Sequence, residues 1–367
     1  VKAAVLHKCN KIEEQPLVIE DVNILKPRVG EVLIKVLSVG VCHSDLHVIE
    51  GRTPISLPCV CGHEIYGVVE EVGAHVTAVN IGDYVVATFI WPCGRCYNCA
   101  SGLENLCENM AAIRPKGTLF NGATRLSLLD GSPLYIFLGG GFAEYAIIPE
   151  SGVKVLPNEL RKETSAILGC AVLSAYGAAM ETGKVEVGES VAIFGAGGIG
   201  INIIQLCKAA NASQIIAIDV IDKKLEWAKE FGATDIINSR ETDPVKVIRE
   251  LTDNKGVDVV FEAAGLADTA YQAVESVRIG GRVVLVGLMP VGSTAPLHSA
   301  RVVRGGIKIL GSYGGRPRVA FPRIFELVKK GLLDIDKQVT KRWKLEDVNH
   351  ALLSLKRGEV IRSILVP

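Results

Sequence analysis

Cys42 and His63 stand about twenty residues apart, each inside a polar cluster: Cys42-His43-Ser44-Asp45-Leu46-His47 and Cys61-Gly62-His63-Glu64. A thiolate and an imidazole at that separation can face one point only if the chain between them folds back. Together they suit a borderline-soft metal such as zinc. Residues 93–107 hold a denser set, Cys93, Cys96 and Cys99 and then Cys107. Four thiolates at this spacing, with Gly94 and Asn98 to let the loop turn tightly, can close a tetrahedral cage. A closed cage has no position left for a substrate, so this second site reads as structural. The competing reading, free or disulfide-linked cysteines, is disfavoured because four thiols in so short a stretch would be an oxidation liability. Cys170 alone reads as a small buried hydrophobe. Only the incomplete ligand set of Cys42 and His63 gives it another meaning.

A different chemistry is written at Gly195-Ala196-Gly197-Gly198-Ile199-Gly200, which follows an apolar run at 190–194. An apolar helix to residue 210 and a strand at 215–218 come next, the latter ending in Asp219. Gly195 permits the tight turn, Gly197 lets backbone approach a pyrophosphate, and Gly200 lets helix and strand pack closely. The helix N-terminus offers unpaired N–H groups to phosphates. Asp219 can accept hydrogen bonds from a ribose diol and repel a 2′-phosphate, which favours NAD over NADP. Its alternative is a cap for the helix from residue 223. Lys224 could touch the same ribose.

The elements that must position these residues fall into two kinds. Short alternating segments at 3–6, 32–36, 66–72, 84–88 and 142–149, punctuated by Gly and Pro, predict a small β-rich domain. From residue 190 onward strands and helices alternate: helices near 223–231, 245–252 and 267–277, and strands at 236–237, 257–262, 282–286 and 307–310. That order predicts a parallel sheet covered on both faces. Residues 111–141 are glycine-rich and aperiodic, and predict a long loop that covers a site or meets a subunit. Helices near 319–330 and 345–355 and a strand at 364–366 follow a glycine-rich boundary at 311–315. This tail most simply folds back onto the first domain.

The totals narrow the class. A chain of 367 residues exceeds one ordinary core, so two domains are expected. Apolar residues at 49% and charged residues at 22% describe a folded protein rather than a disordered one. Forty basic and forty acidic side chains cancel, which removes any bulk argument for nucleic acid or an anionic membrane. No signal-peptide layout and no long apolar run occur, so a cytoplasmic setting is expected.

On these motifs the chain resembles a zinc-dependent alcohol dehydrogenase of the medium-chain dehydrogenase/reductase superfamily, over essentially its whole length. The resemblance implies an α/β chain: a GroES-like β-rich catalytic domain at 1–171 and a Rossmann doubly wound coenzyme domain at 172–311. A segment at 312–367 would return to the first domain, and the active cleft would lie between the domains. Cys42, His63 and Cys170 fall at the family's catalytic zinc ligands, and Cys93, Cys96, Cys99 and Cys107 at its structural zinc. That makes two zinc ions per chain. Glu64 matches a carboxylate beside the metal, and Asp45 the partner of the zinc-bound imidazole. Ser44 and His47 match a proton relay that leaves a zinc-bound alkoxide beside the nicotinamide.

For NAD, the resemblance assigns His43, Gly195, Gly197, Gly198, Ile199, Gly200, Asp219, Lys224, Val286 and Arg362. Arg362 matches a tail arginine on the pyrophosphate. His43 stands where several members have an arginine, which implies a weaker grip on phosphate. Trp91, Leu119, Phe120 and Leu288 are possible pocket walls. The implied activity is reversible oxidation of primary or secondary alcohols by a homo-oligomer, tetramer before dimer. Its rivals are a zinc-dependent relative acting on a polyol, sugar, formaldehyde adduct or CoA-linked alcohol, and a catalytically silent NAD- and zinc-binding protein. Zinc-free quinone reductases lack both cysteine sets.

Overall fold

The strand Glu31–Gly40 is the axis of the first half of the structure, a computed structural model that describes residues 1–290 and 292–367. One of its edges carries Glu64–Val72. The other is shared by Tyr145–Pro149 along its first half and Arg362–Val366 at its end. With both edges occupied, most of its ten residues are buried, and simple alternation is lost. Around it a seven-stranded sheet runs Val153–Val155, Tyr84–Ala87, Glu64–Val72, Glu31–Gly40, Arg362–Val366 and Val339–Lys344, with Tyr145–Pro149 branching from Glu31–Gly40. A second sheet runs Leu17–Asp21, Lys2–Leu6, Cys59–Val60, Pro133–Ile136, Leu126–Ser127 and Asn23–Ile24.

The register of the axis strand gathers the chemistry. Gly40 lies opposite Glu64 on one side and Ile364 on the other. The chain beyond Gly40, the start of Glu64–Val72 and the start of Arg362–Val366 therefore meet at one end of the sheet. Gly40 must be glycine, since a Cβ there would sit inside the Glu64 side chain.

Residues 111–141, expected as an aperiodic loop, are more ordered than that. They include the end of helix Glu108–Ile113, the 3-10 turn Arg114–Lys116 and the paired strands Leu126–Ser127 and Pro133–Ile136. Arg125 is 2% exposed and gives Nε and Nη2 to the two oxygens of buried Glu31, at 2.8 and 2.6 Å. Strands of two and four residues are too short to show a period. A buried pair spanning 94 positions leaves no local signal at all.

The second unit comprises Ala171–Gly315 with Lys330–Leu333; the first takes Val1–Cys170, Arg316–Lys329 and Asp334–Pro367. Six parallel strands form the second unit's sheet, in the order Asp235–Asn238, Gln214–Asp219, Ser190–Phe194, Val257–Glu262, Val277–Leu285 and Lys308–Gly311. This is the doubly wound order with its reversal beside Ser190–Phe194. Phe194, Ile216, Val260, Ile248 and Val283 form part of its core. Helix Gly198–Ala209 and helix Asp222–Phe231 supply crossovers near the expected positions. Helix Ser299–Gly305 and strand Val339–Lys344 were not legible in sequence. Each is short and mostly solvent-facing, so neither carries an apolar period. Among the described residues no single helix is long and apolar enough to cross a membrane.

Candidate active site

Helix His43–Ile49 begins where the chain leaves Gly40, with Cys42 at its N-cap. The next strands bring His63 and Glu64 alongside, and the 3-10 helix Glu163–Gly169 delivers Cys170. Gly169 is required here, because a Cβ would run into the carbonyl of Ala87. One ligand atom each from Cys42, His63, Glu64 and Cys170 then lies within 4.8 Å of the others, and all four residues are buried.

Asp45 ties the pieces together. It is 0% exposed, and its Oδ2 accepts from the Cys42 N–H at 3.2 Å. Its Oδ1 accepts from the Gly62 N–H at 2.9 Å and faces His63 Nδ1 at 3.1 Å. The Nδ1 contact fixes the ring and leaves Nε2 for the cluster. Burial works against the His63 imidazolium, but the Asp45 carboxylate and the Cys42 sulfur outweigh it and hold its pKa well above the usual value. A hydrogen shared with Cys170 pulls the Cys42 thiol well below its ordinary pKa, against burial and with help from His63. The same bond, with burial, pushes Cys170 up. A divalent cation that displaced the shared hydrogen would relieve both shifts.

Glu64, expected beside the metal, is the fourth residue of this group. Burial pushes its carboxyl up to about 7, with Arg362 pulling the other way. Arg362 is itself buried and forms an ion pair with Glu64 through Nη2 and Oε1. The other oxygen, Oε2, is buried without a hydrogen-bond donor among the described residues, which fits a cation between it and the sulfurs. The structure thus sets Arg362 beside Glu64. Ser44 and His47 are half-buried, three residues apart on one face of helix His43–Ile49, while His43 is exposed on its first turn.

In the second unit the three turn glycines differ in what surrounds them. Gly195 has φ +97°, and a Cβ there would press on the Ala263–Ala264 backbone. One at Gly200 would strike the carbonyl of Gly195, while Gly197 faces open space with nothing within 4 Å. That open approach, at the N-cap of the twelve-residue helix Gly198–Ala209, fits a pyrophosphate. Gly198 and Ile199 make the helix's first turn. Asp219 accepts from Ala196 N–H at 2.8 Å through Oδ2, and from Val220 N–H at 2.8 Å and Ile221 N–H at 3.2 Å through Oδ1. It organises the turn beside the glycines, and helix Asp222–Phe231 has no side-chain cap. Lys224 is half-buried on that helix. Val286 is 8% exposed and donates its N–H to Glu262 O at 2.8 Å.

Cys93, Cys96, Cys99 and Cys107 bring their sulfurs within 4.8 Å of one another. Backbone N–H groups point at them: Arg95 and Cys96 to Cys93, Cys99 to Cys96, and Cys93 and Met110 to Cys107, at 3.3 to 3.5 Å. Despite burial, such donors help bring the Cys93 thiol down to about 6. Burial drives Cys99 the other way, up to about 12.

Comparison with known proteins agrees with this geometry. Residues 28–158 match the alcohol dehydrogenase GroES-like domain family, and residues 198–330 match the zinc-binding dehydrogenase family. An S-(hydroxymethyl)glutathione dehydrogenase of Escherichia coli O1:K1 / APEC is 37% identical over 356 residues, 96% of each chain. This chain is a zinc-dependent dehydrogenase of the medium-chain superfamily. Among solved relatives, an alcohol dehydrogenase zinc-binding domain protein from Burkholderia ambifaria superposes with a TM-score of 0.94 at 35% identity, covering 100% of this chain and 98% of its own. Benzyl alcohol dehydrogenase from Acinetobacter calcoaceticus gives 0.93 at 31% identity, with the same coverage.

In this dehydrogenase two aromatic residues went unnoticed in the sequence. Phe89 and Phe137 stand edge-on to the His63 ring, with centroids 6.1 and 5.6 Å away. Neither lies in a motif, and only tertiary contact reveals them. Trp91 belongs to the core instead of a pocket wall: it is 1% exposed and donates Nε1–H to Thr88 O at 2.7 Å. Leu119 is equally buried, whereas Leu288 is 60% exposed.

Proposed function

We propose that this zinc-dependent dehydrogenase oxidises primary or secondary alcohols to aldehydes or ketones, with NAD as hydride acceptor. Cys42, His63 and Cys170 would hold the catalytic zinc, and Cys93, Cys96, Cys99 and Cys107 a structural one. The observation that carries the reading is Asp45, whose one carboxylate braces Cys42 and His63 so that sulfur and Nε2 face the same point. A purely structural cage does not need a buried acid to fix an imidazole beside a half-exposed serine and histidine.

Zinc at this site supplies Lewis acidity towards a substrate oxygen, and NAD accepts the hydride. The chain's own residues handle the proton. Ser44 Oγ accepts it from the substrate hydroxyl, and His47, one helical turn on, passes it to solvent. His47 suits this because burial first, and Arg52 second, lower its pKa and keep it neutral. Phe89 and Phe137 shield the His63 side of the site from water. Gly197 leaves the pyrophosphate its approach, and Asp219 and Lys224 would meet the adenosine ribose.

The products are a carbonyl compound, NADH and a proton. Zinc-replete protein mixed with NAD and a panel of primary, secondary and aromatic alcohols should raise NADH absorbance, and NADP should replace NAD poorly. Activity should vanish on metal stripping and return with zinc. Turnover unaffected by stripping would end this reading. A second reading, an S-hydroxymethyl thiol adduct as substrate, is favoured by the E. coli relative named above. Turnover of S-(hydroxymethyl)glutathione far above that of benzyl alcohol would select it.

Homo-oligomerisation, as a tetramer or dimer, belongs to the same proposal. Strand Lys308–Gly311 ends its sheet with no further strand beside it among the described residues, and Val303 on the preceding helix is 79% exposed. Clustered thiols without a disulfide suit a reducing, cytoplasmic setting.

A further inference from the structure

The cysteine lobe borders a cavity of about 260 Å³ lined by Pro92, Cys93, Gly94, Ser151, Lys154 and Arg318. Lys154 lies on strand Val153–Val155 and is half-buried, yet its ammonium makes no hydrogen bond or ion pair among the described residues. Arg318, on the same cavity wall, has a committed partner. Its backbone N–H donates to Glu104 Oε1 at 2.8 Å, and its Nε pairs with Oε2 of the same carboxylate. Glu104 is 3% exposed and belongs to the turn Glu104–Leu106, between Cys99 and Cys107. One acid of the lobe is thus taken up by one base, and Lys154 is left over. Burial disfavours its charge, Arg318 adds to that, and Glu104 and Glu150 only partly compensate.

A half-buried cation without a partner is unfavourable unless something nearby offsets it. Four thiolates around one divalent ion leave a formal double negative charge, and backbone N–H groups meet only part of it. Cys93 brings that charge to the wall that Lys154 shares. We propose that Lys154, flanked by the Glu104–Arg318 pair, is the counter-charge of the four-cysteine site and slows the loss of its metal. The inference rests on the reading that these cysteines hold zinc. Lys154 would be a positioning residue, without a part in the chemistry of the alcohol.

The test follows zinc leaving the full-length, zinc-loaded protein into a chromogenic chelator, after the metal content has been counted. The lobe phase is identified as the one missing in Cys107→Ser. Lys154→Met should accelerate that phase tenfold or more, and leave the phase from the buried cluster unchanged. Lys154→Arg should restore the slow rate. Raising salt from ~50 to ~500 mM should speed lobe release in the wild type and not in Lys154→Met, because screening removes only a charge that is present. A Lys154→Met rate within twofold of wild type, or Lys154→Arg as fast as Lys154→Met, overturns the proposal. If Lys154→Met does not fold, a salt-independent wild-type rate overturns it alone. A wild-type chain with one zinc removes the four-cysteine reading as well, and the metal count distinguishes that failure from the others.

Discussion

The two metal-type clusters solve one problem in opposite ways. Residues 93–107 gather four sulfurs within one short stretch, and the loop's own N–H groups point at them. The buried cluster draws Cys42, His63, Glu64 and Cys170 from three separate elements and balances them with full charges, Asp45 and Arg362. A local cage needs little beyond a loop of the right length. A long-range site needs the sheet register to be correct before its three segments meet. That makes the assembly of the buried cluster depend on single charges, and the lobe depend first on its sulfurs and then on the counter-charge proposed for Lys154.

The largest expected effect separates chemistry from fold. Cys42→Ala should lower kcat/KM by roughly 10³-fold or more, the scale of losing a Lewis acid. NAD binding, followed by calorimetry, should survive, since the glycine turn lies in the second unit. Loss of both together would collapse the distinction between site and scaffold. Asp45→Asn keeps the shape and removes the charge, so the buried cluster should hold zinc about 10–100-fold more weakly. The lobe's metal should remain, and a metal count per chain reads the difference.

Cys107→Ser tests the other cluster. It should lower Tm by roughly 5 °C, because metal binding there contributes folding free energy. Activity at low temperature should change much less than in Cys42→Ala; equal losses would make the lobe part of catalysis. The smallest effect concerns the relay. Burial and Arg52 lower the pKa of His47 below 6.5, so the neutral, proton-accepting form persists through neutral pH. The wild-type rate should fall only when the pH drops below about 6.5, as the ring gains a proton. His47→Gln should cost a few-fold near neutrality and abolish that acid limb; an unchanged limb would assign it to another group.

Legibility in the sequence tracked distance along the chain. The four-cysteine lobe and the glycine turn could be read because all their parts lie within one loop or one strand–turn–helix unit. Strand Val257–Glu262 was legible as a short apolar run between turn signals. Cys170 was not legible by its own residue type and took meaning only from its distant partners. Phe89 and Phe137 gave no signal, since an aromatic in a loop is interpretable only once its neighbour is known. The ordered segment around Arg125 was hidden for the same reason, its anchor Glu31 lying in another strand.

By itself the sequence determined the ligand types, the nucleotide turn and the alternation of strands and helices, all properties of short-range spacing and side-chain chemistry. The tertiary structure alone decided that Glu64 joins the buried cluster, that Arg362 faces it, and that Lys154, beside the cysteine lobe, has no ion pair among the described residues. Those outcomes depend on which strand edges pair and in what register. Register is a collective result of burying many side chains at once, and no local stretch of residues encodes it.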